Sequence, residues 1–223
     1  MSKPTAPSGR GQRLPSGGRG PMPTVAYPFL KGLYLNVTNR CPTACRFCIK
    51  RVLKWRFERW DFRLKSDPSV ERILAAGAEA ARGRRFEEVV FCGYGESTYR
   101  LPDLPELCRG LRRQQPGALL RLNTVGLGSL IWGRDIAPEL ARLIDAVAVS
   151  LNTTDPEQWR EIHAPLRPFR ARGYEAVLDF VRSCVAAGLK TSVTAVQLPG
   201  TDLAAVRRLA LSLGASFRRR PAL

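Results

Sequence analysis

The chain has 223 residues, 44% of them apolar, and a formal net charge of +17 from 36 lysines and arginines against 19 acids; it can bury one sizeable core. No apolar run approaches the roughly 20 residues that span a bilayer, and the N-terminus lacks the apolar centre of a secretory signal. A cytoplasmic protein with reduced thiols is therefore expected, and the positive excess favours anionic partners, nucleic acid among them, unless it only mirrors an arginine-rich proteome.

Residues 1–26, MSKPTAPSGRGQRLPSGGRGPMPTVA, are rich in Gly, Pro, Ser and Arg and hold no acid. They offer too little apolar surface to offset chain entropy and read as a disordered basic tail ahead of a core domain over 27–223. The first predicted strand, GLYLNVT (32–38), runs into Cys41-x3-Cys45-x2-Cys48, three of the six cysteines within eight residues. Three thiolates on one short loop suit three irons of a cubane [4Fe–4S] cluster, and the missing fourth ligand leaves one iron open to a substrate or cofactor. The competing reading is a zinc site completed by Cys92 or His163; it is disfavoured because zinc knuckles usually present two separated cysteine pairs.

In RVLKWRFERWDFRLK (51–65), Trp55, Phe57, Trp60 and Phe62 interleave with lysines and arginines. That pattern fits base stacking beside phosphate contacts, and equally a packing flap over the site, with helical and strand spacing both satisfied; the flap is favoured. A helix over SVERILAAGAEAARG (69–83), with Ser or Asp caps in SDPSVER, leads to the strand FEEVVFC (86–92) and its end GYGEST. Glycines suit a place where backbone must approach a ligand. The helix DLPELCRGLRRQQ (103–115) precedes the strand ALLRLNT (118–124), which points Asn123 at the same end of the sheet. After the helix IAPELARLI (136–144), the strand DAVAVSLN (145–152) places Ser150 and Asn152 on one face by alternation, so both can reach one ligand. The helix YEAVLDFVRSCVAAG (174–188), the strand LKTSVTAVQ (189–197), the helix DLAAVRRLALSLG (202–214) and the strand ASFRR (215–219) complete the pattern. Cys108 and Cys184 read as core thiols, Cys92 as a buried strand thiol beside the site, and His163 as a packing or surface histidine.

Near-continuous apolar strands alternating with amphipathic helices predict an α/β fold, a mostly parallel sheet covered by helices. Six such strands are too few for a closed eight-stranded barrel and fit an open (β/α)6 partial barrel, with chemistry at the C-terminal strand ends.

The triplet CPTACRFC after the first strand of such a protein resembles the radical S-adenosylmethionine (SAM) superfamily. The resemblance implies a [4Fe–4S] cluster on Cys41, Cys45 and Cys48 whose open iron chelates SAM. One electron from the reduced cluster then cleaves the C–S bond to methionine and a 5′-deoxyadenosyl radical, which abstracts hydrogen from a substrate. It places Phe47 near the adenine. Gly93, Gly95 and Glu96 of FCGYGEST stand for the glycine–glycine–glutamate motif that binds the methionine amino group, with Tyr94 as an insertion. Asn123, Ser150 and Asn152 supply polar groups to the cofactor, the last two toward the ribose. More finely, YLNVTNRCPTACRFCIK, FCGYGEST, RLNTVGLGSLIWGRDIAPEL, DAVAVSLNTTDPEQW and LPGTD look like the small TatD-linked radical SAM proteins, whose reaction is not established. Ser97 stands where those relatives have proline, and Val125 where they have asparagine. Implied partners are a small-molecule or nucleotide substrate, a reductant such as flavodoxin or ferredoxin, and a functional association with a TatD-type hydrolase. An RNA- or nucleotide-modifying enzyme is the alternative that the charge favours; an enzyme acting on a protein or peptide, disfavoured for want of the extra cysteine clusters that many peptide-modifying relatives carry, and a non-enzymatic zinc or nucleic-acid-binding module are the remaining ones.

Overall fold

The structure, a computed structural model, describes residues 23–222; the expected tail lies outside the described residues as far as residue 22. In chain order the elements are β1 (Ala26–Phe29), β2 (Gly32–Leu35), α1 (Ile49–Val52), the two-residue strands β3 (Arg56–Phe57) and β4 (Trp60–Asp61), α2 (Val70–Ala80), β5 (Glu88–Phe91), α3 (Leu104–Gln114), β6 (Leu119–Thr124), α4 (Gly128–Trp132), α5 (Ala137–Ala141), β7 (Ala146–Ser150), α6 (Pro156–His163), α7 (Gly173–Ala186), β8 (Lys190–Val196), α8 (Leu203–Ser212) and β9 (Ser216–Arg220).

The main sheet runs β1-β2-β5-β6-β7-β8-β9. All neighbours from β2 onward are parallel, and β1 pairs antiparallel with β2 at the edge. The six expected parallel strands are thus present in an open sheet, with β1 as an addition. AYPF is short and contains Pro28, which an edge strand tolerates because one side of it makes no ladder bonds.

Alternation sorts the two faces. Leu33, Leu35, Val89, Phe91, Leu120, Leu122, Val147, Val149 and Val193 are at most 1% exposed and join one core with Ile73 of α2, Leu107 and Leu111 of α3, and Val177 and Phe180 of α7. At about 2 kcal/mol for each large apolar side chain buried, this face dominates the favourable side of folding. The opposite face carries Tyr34, Glu88, Arg121, Asn123, Ser150 and Arg218, the same-parity residues of the paired strands.

Capping fixes where the helices start. Ser69 Oγ accepts from Arg72 N (3.2 Å) at α2, Asp155 accepts from Glu157 N and Gln158 N (2.7 and 3.0 Å) at α6, and Asp202 accepts from Ala205 N (2.9 Å) at α8. Helix α6 is absent from the sequence reading, although Asp155-Pro156 is an N-cap followed by proline at the first helical position.

Segment 51–65 folds as neither one helix nor two long strands but as α1 and the β3–β4 hairpin. Its rings turn inward. Phe62 is fully buried, stacks on Tyr94 (4.6 Å, 15°) and meets Tyr27 edge-to-face (4.6 Å), and Trp55 also stacks on Tyr94 (5.9 Å, 20°). The segment is a packed aromatic flap beside the cysteine loop.

Candidate active site

The cysteine loop leaves β2 across the C-terminal end of the sheet and is held at both ends. Asn36, fully buried, donates from Nδ2 to the carbonyls of Thr24 (3.1 Å) and Phe62 (3.0 Å), while its Oδ1 accepts from Tyr94 N (3.3 Å). At the far end, Ala44 N and Arg46 N donate to His163 O (3.2 Å) and Ile162 O (2.9 Å) at the end of α6. Cys41, Cys45 and Cys48 thereby open on one cleft, which Phe47, Gly93, Glu96, Asn123 and Ser150 also line.

Thr43 Oγ1 sits between two of the sulfurs, 3.4 Å from Cys41 Sγ and 3.3 Å from Cys45 Sγ. Burial pushes the Cys41 thiol up and the Cys45 thiol up to about 12; a bound metal reverses such a shift, since it takes thiols as thiolates. Among the described residues no three His, Cys, Asp or Glu side chains are grouped to hold one ion. A zinc knuckle needs its ligands within about 2.3 Å of one centre, whereas a cubane takes each thiolate on a different iron. Three thiols on one short loop that open on one cleft are a donor set suited to an iron–sulfur cluster, for which thiolate is the preferred ligand.

Gly93 and Gly95 act first on the protein itself. A Cβ at Gly93 would lie 2.4 Å from Asn36 Oδ1, and one at Gly95 would lie 2.2 Å from Thr38 O and 2.7 Å from Arg40 O. Both glycines let the loop after β5 lie flat on the loop that carries the cysteines, where Glu96 N donates to Arg40 O (2.7 Å). Tyr94, between them, turns into the aromatic cluster with Phe62.

Glu96, 2% exposed, is a hub. Its Oε1 accepts from Thr98 N (3.1 Å) and Thr98 Oγ1 (2.8 Å), its Oε2 accepts from Val125 N (2.8 Å), and Thr124 Oγ1 lies 3.0 Å from each oxygen. Burial pushes this carboxyl up, against the pull of those donors. Thr98, Thr124 and the Val125 amide thus hold the Glu96 carboxyl in place, a set of bonds that the sequence does not announce. Position 125 contributes its backbone N–H, which any non-proline residue supplies, so valine serves there.

The remaining expected residues divide. Asn123 accepts from Arg121 Nη1, and Ser150 Oγ accepts from Asn152 Nδ2 (3.2 Å), each at the cleft. Phe47 lines the cleft and meets the His163 ring edge-on (5.8 Å). Asn152 stands apart from the cleft lining. Strand β7 ends at Ser150, Asn152 has φ 70°, and its buried amide bonds Ser150, His163 and Val196 N; strand alternation does not extend to it. Cys92 lines the cleft just beyond β5, with its thiol pushed up by burial. His163 is fully buried, stacked on Trp159 (4.9 Å, 20°), and held neutral by burial with its pKa pushed down to about 4. Cys108 and Cys184 are buried core thiols, as expected. Among the described residues no helix is long and apolar enough to cross a membrane.

A sequence model of the radical SAM superfamily matches residues 35–213. The "PqqA peptide cyclase" of Streptomyces rochei is 31% identical over 181 residues, covering 78% of this chain; the chain spans 42% of that protein's length. Two solved structures share the fold at TM-score 0.62 and 17% identity, each over 88% of this chain. They are a radical SAM methyltransferase from Sphaerobacter thermophilus, covered over 57% of its length, and Streptococcus suis SuiB bound to precursor peptide SuiA, covered over 40%. The family implies SAM and an iron–sulfur cluster, the group that the three convergent thiols fit; the chain belongs to the radical SAM superfamily.

Proposed function

We propose that the protein is a radical SAM enzyme in which Cys41, Cys45 and Cys48 hold three irons of a [4Fe–4S] cluster, within a core domain over 27–223. The observation that carries this reading is the convergence of the three thiols with Glu96, Asn123 and Ser150 on one cleft. When bound, the cluster and SAM supply reductive C–S cleavage and a carbon-centred radical for hydrogen abstraction, chemistry that belongs to the cofactor.

The chain's own part is to bind and to shield. Glu96 presents a fixed carboxylate to the methionine ammonium, Ser150 and Asn123 offer polar groups along the cofactor, and Gly93 and Gly95 keep that wall free of side chains. Phe47 and Ile49 give the cleft apolar surface, which limits water beside a reactive intermediate. The substrate is a small molecule or nucleotide, and an acidic one-electron donor suits the +17 charge. The finer likeness to TatD-linked proteins rests on the sequence motifs, and a functional association with such a hydrolase is part of this proposal.

The test is anaerobic reconstitution with iron and sulfide, followed by dithionite reduction with SAM and assay for 5′-deoxyadenosine. The expected result is about four irons per chain and product formation, both lost in Cys45→Ala. A colourless protein that takes up zinc and forms no product would overturn the reading.

A further inference from the structure

The last strand carries charge on the face that holds the cleft. Arg218 pairs in register with Thr194 and Arg220 with Val196, and Thr194 pairs with Ser150, so both arginines belong to the same sheet face as Ser150. Arg220 itself lines the cleft of the three cysteines. A third arginine of this face, Arg121, is answered by Glu88, with Nη2 2.6 Å from Oε1 and Nε 2.8 Å from Oε2. Arg218 and Arg220 make no ion pair among the described residues. Partial desolvation, Arg121 and Arg220 together hold the Arg218 guanidinium below its usual range, against the weaker opposing pull of Tyr34 and Glu88, as expected where three cations share one acid.

Planar guanidinium groups bind carboxylate and phosphate oxygens in pairs, and clustered cations that outnumber the acid among them favour an anion between them. We propose that Arg218 and Arg220 bind an anionic group of the substrate, carboxylate or phosphate, and so hold the reacting part of the molecule over the cleft. This rests on the radical SAM reading only in taking that cleft as the reaction centre.

Calorimetric titration of the reconstituted protein in saturating SAM, with inorganic phosphate and separately with succinate, tests it and distinguishes the two anions. One-site binding of at least one is expected, weakened at least tenfold by the double variant R218Q/R220Q and kept by R207Q/R208Q, which removes equal charge from α8. No binding, equal loss in both double variants, or displacement of the anion by SAM overturns the proposal. Iron content, measured in parallel, reports separately on the cluster reading.

A second inference rests on a different set of bonds. Val196 N donates to Asn152 Oδ1 (2.8 Å), which fixes the orientation of that amide. Asn152 Nδ2 then faces His163 Nε2 at 2.9 Å. An amide nitrogen only donates, so Nε2 accepts and the proton of the neutral ring sits on Nδ1. The alternative, Nε2–H donating to Leu151 O at 3.3 Å, sets two N–H groups against each other across the shorter contact. Nδ1 lies 3.6 Å from Cys45 Sγ. We infer that His163 is a positioning residue that donates Nδ1–H to the Cys45 sulfur and raises the reduction potential of a cluster held there, as hydrogen bonds to cluster sulfurs do.

Asparagine places its amide nitrogen where Nδ1 lies, and glutamine reaches the place of Nε2. Potentiometric titration of the reconstituted protein, followed by electron paramagnetic resonance, is expected to give a lower potential in H163Q and a potential near wild type in H163N. A wild-type potential in H163Q, or the same shift in both variants, overturns the inference. Thermal melts of both variants separate a loss of folding from a loss of the bond.

Discussion

Gly95→Ala is expected to cost about 3 kcal/mol of stability or more and to leave a protein that no longer takes up iron. The added Cβ would stand 2.2 Å from Thr38 O and 2.7 Å from Arg40 O. Both are backbone atoms, so no rotamer relieves the overlap and one loop must lift from the other. The lift breaks the bond from Glu96 N to Arg40 O and moves Arg40, the residue before Cys41. Gly83→Ala is the comparison: its Cβ meets nothing within 4 Å, and only its φ of +69° is unfavourable, at about 1 kcal/mol. Urea denaturation and iron content after reconstitution check both variants. Iron uptake at the wild-type level in Gly95→Ala would show that the two loops are not coupled.

The features legible in the sequence were the local ones. The cysteine spacing lies within eight residues, and each parallel strand has a short apolar run between turn signals. Features that depend on distant partners were not legible. The glycines after β5 read as room for a ligand, and what the sequence does not announce is that they also admit Asn36, at Gly93, and the backbone of Thr38 and Arg40, at Gly95. Segment 51–65 satisfies two periodicities, and partners remote in sequence, Tyr27, Phe29 and Tyr94 among them, decide how its rings pack. His163 packs, as read, against Trp159, but its 3.6 Å approach to Cys45 Sγ depends on a partner 118 residues away. Asn152 misled for a geometric reason, since the strand ends two residues earlier and the backbone turns into the left-handed region.

Glu96→Gln should separate the two duties of this residue. Its partners include two backbone amides, Thr98 N at Oε1 and Val125 N at Oε2. These can only donate, so a glutamine NH2 group must oppose one of them whichever way the amide turns; the threonine hydroxyls can rotate to accept, but the backbone cannot. One buried N–H left without an acceptor costs about 1–3 kcal/mol. The gap should narrow with rising pH. Burial raises the folded-state pKa of Glu96 above its unfolded value. Between those two values the unfolded chain has already released the proton that the folded chain keeps, so wild-type stability falls as pH rises while the glutamine variant has no such slope. On the proposed reading, SAM affinity runs the other way. The wild type gains affinity as pH rises through the same window, because the carboxylate that faces the methionine ammonium forms there. The variant should bind SAM at least tenfold more weakly at neutral pH, with no rise across the window and with cluster content retained. Denaturation and SAM titration of both proteins at several pH values check the opposite slopes. An affinity that rises equally in the two proteins would mean that Glu96 braces the loops after β5 and β6 and does not touch the cofactor.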